Sequence, residues 1–137
     1  MYVPTREEFR QKATEGNLIP VYREILADME TPVSAFAKTV EGDYGFLLES
    51  VEGGENIARY SFLGSQPAMV LTVRRNEVTT LHPDTGETAT RTVEDPFAEL
   101  EAVMDGFRPV PVAGLPPFHG GAVGFLGYDM ARNFEDI

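Results

Sequence analysis

From Tyr44 to Val93 the chain never holds an apolar face at helical spacing. Five short segments rich in β-branched and aromatic residues follow one another instead: Tyr44–Val51, Ile57–Leu63, Ala68–Arg75, Glu77–Leu81 and Glu87–Val93. Between them stand Gly53-Gly54, Ser65-Gln66-Pro67, Arg75-Asn76 and Pro83-Asp84-Thr85-Gly86. Links this short join antiparallel neighbours, because a parallel crossover needs a dozen or more residues. The stretch therefore predicts an antiparallel meander. Val78, Thr80 and His82 alternate with Glu77, Thr79 and Leu81, so one face of that segment is expected to be wet.

Helix signals bracket the meander. Thr5-Arg6-Glu7-Glu8 is a capping box, with Pro4 and Phe9 spaced for a hydrophobic staple. This helix is expected to run to about Glu15 and to leave through a left-handed turn at Gly16-Asn17. The segment NLIPVYREIL suits a short edge strand, since Pro20 has no N–H to give a ladder. Thr31-Pro32 starts a second helix with Val33, Phe36, Ala37 and Val40 on one face. Asp95-Pro96 starts a third, with a stripe of Phe97, Leu100, Val103, Met104 and Phe107. The proline-rich RPVPVAGLPPF is an extended connector, and FHGGAVGFLGYDMARNFEDI reads as a glycine-rich apolar strand entering a helix near Tyr128. The expected fold class is α+β: an antiparallel meander with three to four flanking helices, one domain over residues 1–137. The chain stops at Ile137 just after that last helix begins, which reads as a cut rather than a domain end.

Composition narrows the function. Eleven basic against 22 acidic residues give a formal charge of −11, a surface that repels phosphate backbones and anionic lipid. Nucleic-acid and membrane partners are therefore not expected, and no apolar run approaches the roughly 20 residues of a membrane span. The N-terminus lacks a signal pattern, so the expected location is cytoplasmic. With no cysteine, thiolate catalysis, disulfides and zinc–cysteine sites drop out. His82 and His119 are far apart, and neither sits in a metal-ligand spacing.

The motifs that carry chemistry are few. Gly121, Gly124 and Gly127 form G-x-x-G-x-x-G, not the dinucleotide fingerprint, and read as a strand against which another backbone or bulky side chain packs closely. His119 beside Gly120 is open to a structural or a site role. No spacing selects a pair of carboxylates for acid–base work.

The segment LLESVEGGENIARYSFLG, residues 47–64, is more informative. Glu49 and Ser50 end one apolar run and Arg59 begins the next. A carboxylate placed there calls for a cationic or hydrogen-bonding partner, and Arg59 is a candidate. One reading is an ion pair that fixes a hairpin. The other is a polar rim for a zwitterion, with a carboxylate for an ammonium, a hydroxyl for either end and a cation for a carboxylate.

Two blocks carry a family resemblance. PTREEFRQKATEGNLIPVYREILADMETPVSAFAKTVEGDYGFLLESVEGGENIARYSFLG resembles the N-terminus of anthranilate synthase component I, the large, chorismate-utilising subunit. FHGGAVGFLGYDMARNFEDI resembles a later block of the same family, in the expected order. The resemblance implies a place within the larger α/β sandwich of antiparallel sheets found in that family. It also implies a whole enzyme that converts chorismate to anthranilate and pyruvate, the first step of tryptophan biosynthesis. Ammonia would come from a glutamine amidotransferase partner, component II, and Mg2+ would serve the reaction. The chorismate and Mg2+ residues belong to the C-terminal region, so the resemblance implies no catalytic residue, no metal ligand and no cofactor in this span, which is expected to be inactive alone.

What the resemblance places here is half of the site for feedback inhibition by L-tryptophan. Leu47, Leu48, Glu49 and Ser50 match the family's LLES motif, Arg59 the basic position after it, and Pro20 a residue lining the indole side. The second inhibitor-contact segment lies outside the chain, so weak or no tryptophan binding is expected. Two other readings stand beside this one: the N-terminal part of aminodeoxychorismate synthase component I, the folate-pathway relative, or an assembly module with no ligand of its own. Uncovered apolar faces would favour self-association.

Overall fold

The structure is a computed structural model that describes residues 1–49, 60–116 and 118–133, the last two by their backbone alone. The three predicted capped helix starts form as read, while the helix expected from Tyr128 is a 3-10 helix over Tyr128–Asn133. Thr5 caps α1 (Arg6–Lys12): its Oγ1 accepts from the Glu8 N–H at 3.3 Å, while Glu8 accepts from the Thr5 N–H at 2.8 Å. Those bonds hold the Glu8 carboxyl below the usual carboxylate range. Thr31 caps α2 (Pro32–Thr39) through a reciprocal box with Ser34. Glu30 receives Lys38 and the Ser34 hydroxyl, which lowers its pKa in the same way. Asp95 caps α3 (Pro96–Asp105), accepting from the Phe97 and Ala98 N–H groups at 2.8 and 3.3 Å.

The described residues form two compact units. One comprises residues 25–91 and holds α2 and the strands. β1 (Gly45–Glu49) pairs antiparallel with β2 (Ser61–Ser65), with Phe46 opposite Gly64 and Leu48 opposite Phe62. β3 (Val70–Arg74), β4 (Glu77–His82) and β5 (Glu87–Thr92) form a separate sheet in that order. The fold class is α+β with antiparallel strands, as expected, but the meander breaks between β2 and β3. The corner is local: Gln66 takes a left-handed φ of 52°, Pro67 has no N–H for a ladder, and the Gln66 amide is tied to Glu41 at 2.9 Å. Along β4, Val78 is fully buried and Glu77 exposed, while Thr79 to His82 are half-buried, so the expected wet face ends after one residue. The His82 ring nitrogen is 3.2 Å from the Ala68 carbonyl and ties the end of β4 to the approach to β3.

The other unit, residues 1–24 and 92–137, holds α1, α3 and a 3-10 turn at Tyr128–Asn133. Here the structure departs from expectation. α1 ends at Lys12, and Gly16-Asn17 is not a left-handed exit. Gly16 is buried against Arg108 and Val110. Asn17 clamps the chain after α3: its side chain donates to the Gly106 carbonyl at 2.8 Å and accepts from the Arg108 N–H at 2.6 Å. The backbone N–H groups of Asn17 and Leu18 both point at the Arg108 carbonyl, and Val110 donates to Leu18. The predicted edge strand therefore reduces to single bridges, Leu18 to Pro109 and Val3 to Tyr22. The glycine-rich segment after His119 forms no strand.

Candidate functional site

The β1–β2 hairpin carries the end of the sequence-predicted site. α2 packs on both strands. A Cβ on Gly45 would stand 2.9 Å from Val40, and the Ser65 hydroxyl donates to the Thr39 carbonyl at 3.0 Å. On the opposite strand Phe46 lies over Gly64, which lets the ring cover bare backbone. These contacts fix the register that presents Leu48 and Glu49 at the last two described rungs.

Alternation then sorts the side chains. Leu48 stands opposite Phe62, whose ring meets Tyr60 at a centroid distance of 6.0 Å and 34°. Glu49 stands opposite Ser61 on the other face. Leu48 is 49% exposed, and Glu49 is exposed rather than partly buried. The hairpin end is thus apolar and aromatic on one side, acidic and hydroxylic on the other. A ligand that meets both Leu48 and Glu49 must straddle the strand end instead of lying on one face.

Ser50 and Arg59 lie outside the described residues, as do Val51 and Ile57 at the inner ends of the two predicted runs. Pro20 is half-buried and belongs to the other compact unit. Of the predicted residues, then, the structure describes Leu48 and Glu49 at one strand end, on opposite faces of it. It adds Tyr60 and Phe62, which the sequence reading passed over. Their signal was there in the i, i+2 spacing of "YSF", two rings on one face of a strand.

Other candidates resolve into structure. The His119 ring nitrogen sits 3.0 Å from the Pro116 carbonyl, within its own turn. No group of three or more His, Asp or Glu side chains that could hold a metal ion occurs among the described residues. An open hollow on α1, lined by Arg6, Glu7, Arg10, Gln11 and Thr14, is a solvated helix face of mixed charge. No helix among the described residues is long and apolar enough to cross a membrane.

Comparison with known proteins gives the family. The chain is 42% identical over 138 residues to anthranilate synthase component 1 of Acetivibrio thermocellus, covering 100% of this chain and 27% of that protein. The Synechocystis protein of the same name is 46% identical over 136 residues, covering 98% and 26%. That of Mycolicibacterium smegmatis is 43% identical over 134 residues, covering 97% and 25%. No family model matches, and no solved structure matches. The chain belongs to the anthranilate synthase component 1 family, matching its N-terminal portion. It spans about a quarter of the length of the curated relatives it matches.

Proposed function

We propose that this chain is the inhibitor-sensing region of an anthranilate synthase component 1, carrying one half of a tryptophan site at the β1–β2 hairpin. The observation that carries the reading is the split hairpin end in a chain similar to component 1 along its whole length. Leu48, Tyr60 and Phe62 offer an apolar, aromatic flank to an indole. Glu49 on the other face, with Ser50 and Arg59 following in sequence, offers partners for an ammonium and a carboxylate. Pro20, which the resemblance matches to the indole side, lies in the other compact unit, and the hairpin reading does not depend on it. Inhibition follows if tryptophan binds one arrangement of the whole subunit better than another.

The family-length enzyme, in this proposal, is a cytoplasmic lyase that converts chorismate to anthranilate and pyruvate. It works with a glutamine amidotransferase subunit and with Mg2+ held by residues outside this span. The chain's own residues bind and orient the inhibitor and take no part in the chemistry. The test uses a family-length subunit with Ser50→Ala and Ser50→Phe. Tryptophan inhibition is expected to weaken with the first, and with the second to fall by about a hundredfold as the ring fills the place of the ligand. Anthranilate formation without tryptophan should be unchanged. Survival of inhibition in both variants removes the site from this hairpin, and an aminodeoxychorismate product assigns the chain to the folate-pathway relative.

A second reading, an assembly module with no ligand of its own, draws on the apolar surface of the unit that holds the strands. Ile25 is 71% exposed, Leu26 87% and Met29 94%. An apolar cluster of this kind supports self-association at high concentration. Light scattering of the chain at millimolar concentration is expected to exceed the monomer mass, and a monomer mass there argues against it.

A further inference from the structure

β5 is an exposed edge. It stands last in the order β3-β4-β5, and every residue from Glu87 to Thr92 is exposed. An outer strand of this kind offers a row of backbone N–H and C=O groups to another chain. Many edges are guarded by charge that repels a second strand, but Glu87–Arg91 carries one charge of each sign, symmetrically placed. Around Ala89 the sequence Glu87-Thr88-Ala89-Thr90-Arg91 reads outward as threonine on both sides, then an acid on one and a base on the other. Alternation puts Glu87, Ala89 and Arg91 on one face and Thr88 and Thr90 on the other. The strand already uses a hydroxyl across a ladder, with Thr90 Oγ1 3.0 Å from Thr79 Oγ1 on β4. β3, at the other edge, lacks this pattern: Val70, Leu71 and Val73 are half-buried, and its one charge is Arg74.

We propose that β5 pairs antiparallel with β5 of a second copy of this chain, about a two-fold axis at Ala89, joining two three-stranded sheets edge to edge. In that register Glu87 faces the partner's Arg91, Thr88 faces the partner's Thr90, and Ala89 faces the partner's Ala89. A two-fold axis makes each contact occur twice, so both charge pairs form together. Moving the axis to Thr88 or Thr90 sets Arg91 against the partner's Thr85 or the partner's Ala89, and the charges lose their opposites. Threonine pairs and opposite-charge pairs are both favourable across a ladder. Arg91 already interacts within its own chain, and its five N–H donors accommodate a carboxylate beside that interaction. The formal charge of −11 on each copy opposes the contact, so the association is expected to be weak and its specificity to come from the register. The inference does not depend on the inhibitor site, and it uses a surface other than the apolar cluster of Ile25, Leu26 and Met29.

The chain has no cysteine, so one introduced thiol reports the contact. Residues on the axis face each other within about 6 Å, inside disulfide reach, whereas position 87 lies about 13 Å along the strand from its copy. Ala89→Cys, Glu87→Cys and Leu26→Cys are oxidised at equal concentration, each rate normalised to reaction of the same thiol with a small disulfide. Ala89→Cys is expected to cross-link to a covalent dimer at least about tenfold faster than the other two. Adding Arg91→Glu to Ala89→Cys sets like charges opposite each other and should slow the cross-link about tenfold. Adding Glu87→Arg to that variant in turn exchanges the two charges, re-forms both pairs and should restore the rate. All of these positions are exposed, and circular dichroism is expected to show each variant folded like the unaltered chain. The proposal is overturned if Ala89→Cys cross-links no faster than Glu87→Cys. It is equally overturned if Leu26→Cys is the fastest, which places the contact at the apolar cluster, or if exchanging the charges leaves the rate as low as Arg91→Glu alone. None of these outcomes reads tryptophan or anthranilate, so the inhibitor site stands or falls separately.

Discussion

Gly16→Ala is expected to unfold the unit built on α1 and α3 well before it alters the strand-bearing unit. The added Cβ would fall 2.3 Å from the Arg108 carbonyl oxygen and 2.7 Å from a Val110 methyl. The first of these is backbone, so no rotamer change relieves it. Moving the Arg108 carbonyl breaks the bonds it accepts from Asn17 and Leu18 and disturbs the Asn17 clamp on the Arg108 N–H. Val110, only 3% exposed, packs against Gly16 and would shift with it. Overpacking plus lost hydrogen bonds amounts to about 3 kcal/mol, or roughly 10–20 °C in the midpoint of a unit this size. Gly120→Ala is the control, since no atom among the described residues stands within 4 Å of its Cβ, and a change within about 0.5 kcal/mol is expected there. Differential scanning calorimetry of both variants decides it: equal midpoints would mean that Gly16 does not hold these segments together.

The same residue shows which parts of the fold the sequence makes legible. Helix starts are local chemistry. Thr5 with Glu8, Thr31 with Pro32 and Asp95 with Pro96 all sit within one turn of the groups they satisfy, and all three caps form as read. The first helix end is not local. Gly16-Asn17 has the composition of a left-handed exit, but both residues are recruited by the chain at 106–110, some ninety positions away. Strand positions follow from β-branched content. The split into two sheets depends instead on the left-handed Gln66 ahead of Pro67, a corner that "SQP" marks only as a turn. The glycine-rich segment is the reverse case. Its strand pattern is plain in sequence, yet no strand forms there among the described residues.

At the candidate site the sequence names residues but not faces. Leu48 and Glu49 are adjacent in LLES, and adjacency alone suggests one pocket wall. In a strand it puts them on opposite sides, which only the pairing Leu48–Phe62 and Glu49–Ser61 makes explicit. The aromatic flank of Tyr60 and Phe62 emerges for the same reason, since cross-strand neighbours are invisible until the register is fixed.

That register should be breakable at one point, Gly64. A Cβ there would lie 2.5 and 2.8 Å from two atoms of the Phe46 ring, directly across the ladder. Gly64→Val therefore drives the ring off the strand and exposes the backbone it covers. A cost of about 2 kcal/mol is expected, below that at Gly16 because a ring can swing where a carbonyl cannot. Phe46→Ala removes the obstacle, so the pair should couple: the double variant is expected to be about 1 kcal/mol more stable than the sum of the single changes predicts. Urea unfolding of the three variants measures this, and strict additivity would mean that Phe46 and Gly64 are not packed together. In a family-length subunit the same change carries a second readout. Leu48 and Glu49 hold their places through this pairing, so Gly64→Val should weaken tryptophan inhibition while Phe46→Ala, added to it, restores part of the response. A loss of stability with inhibition intact would uncouple the hairpin from the inhibitor; recovery of both together ties the tryptophan response to the register of β1 on β2.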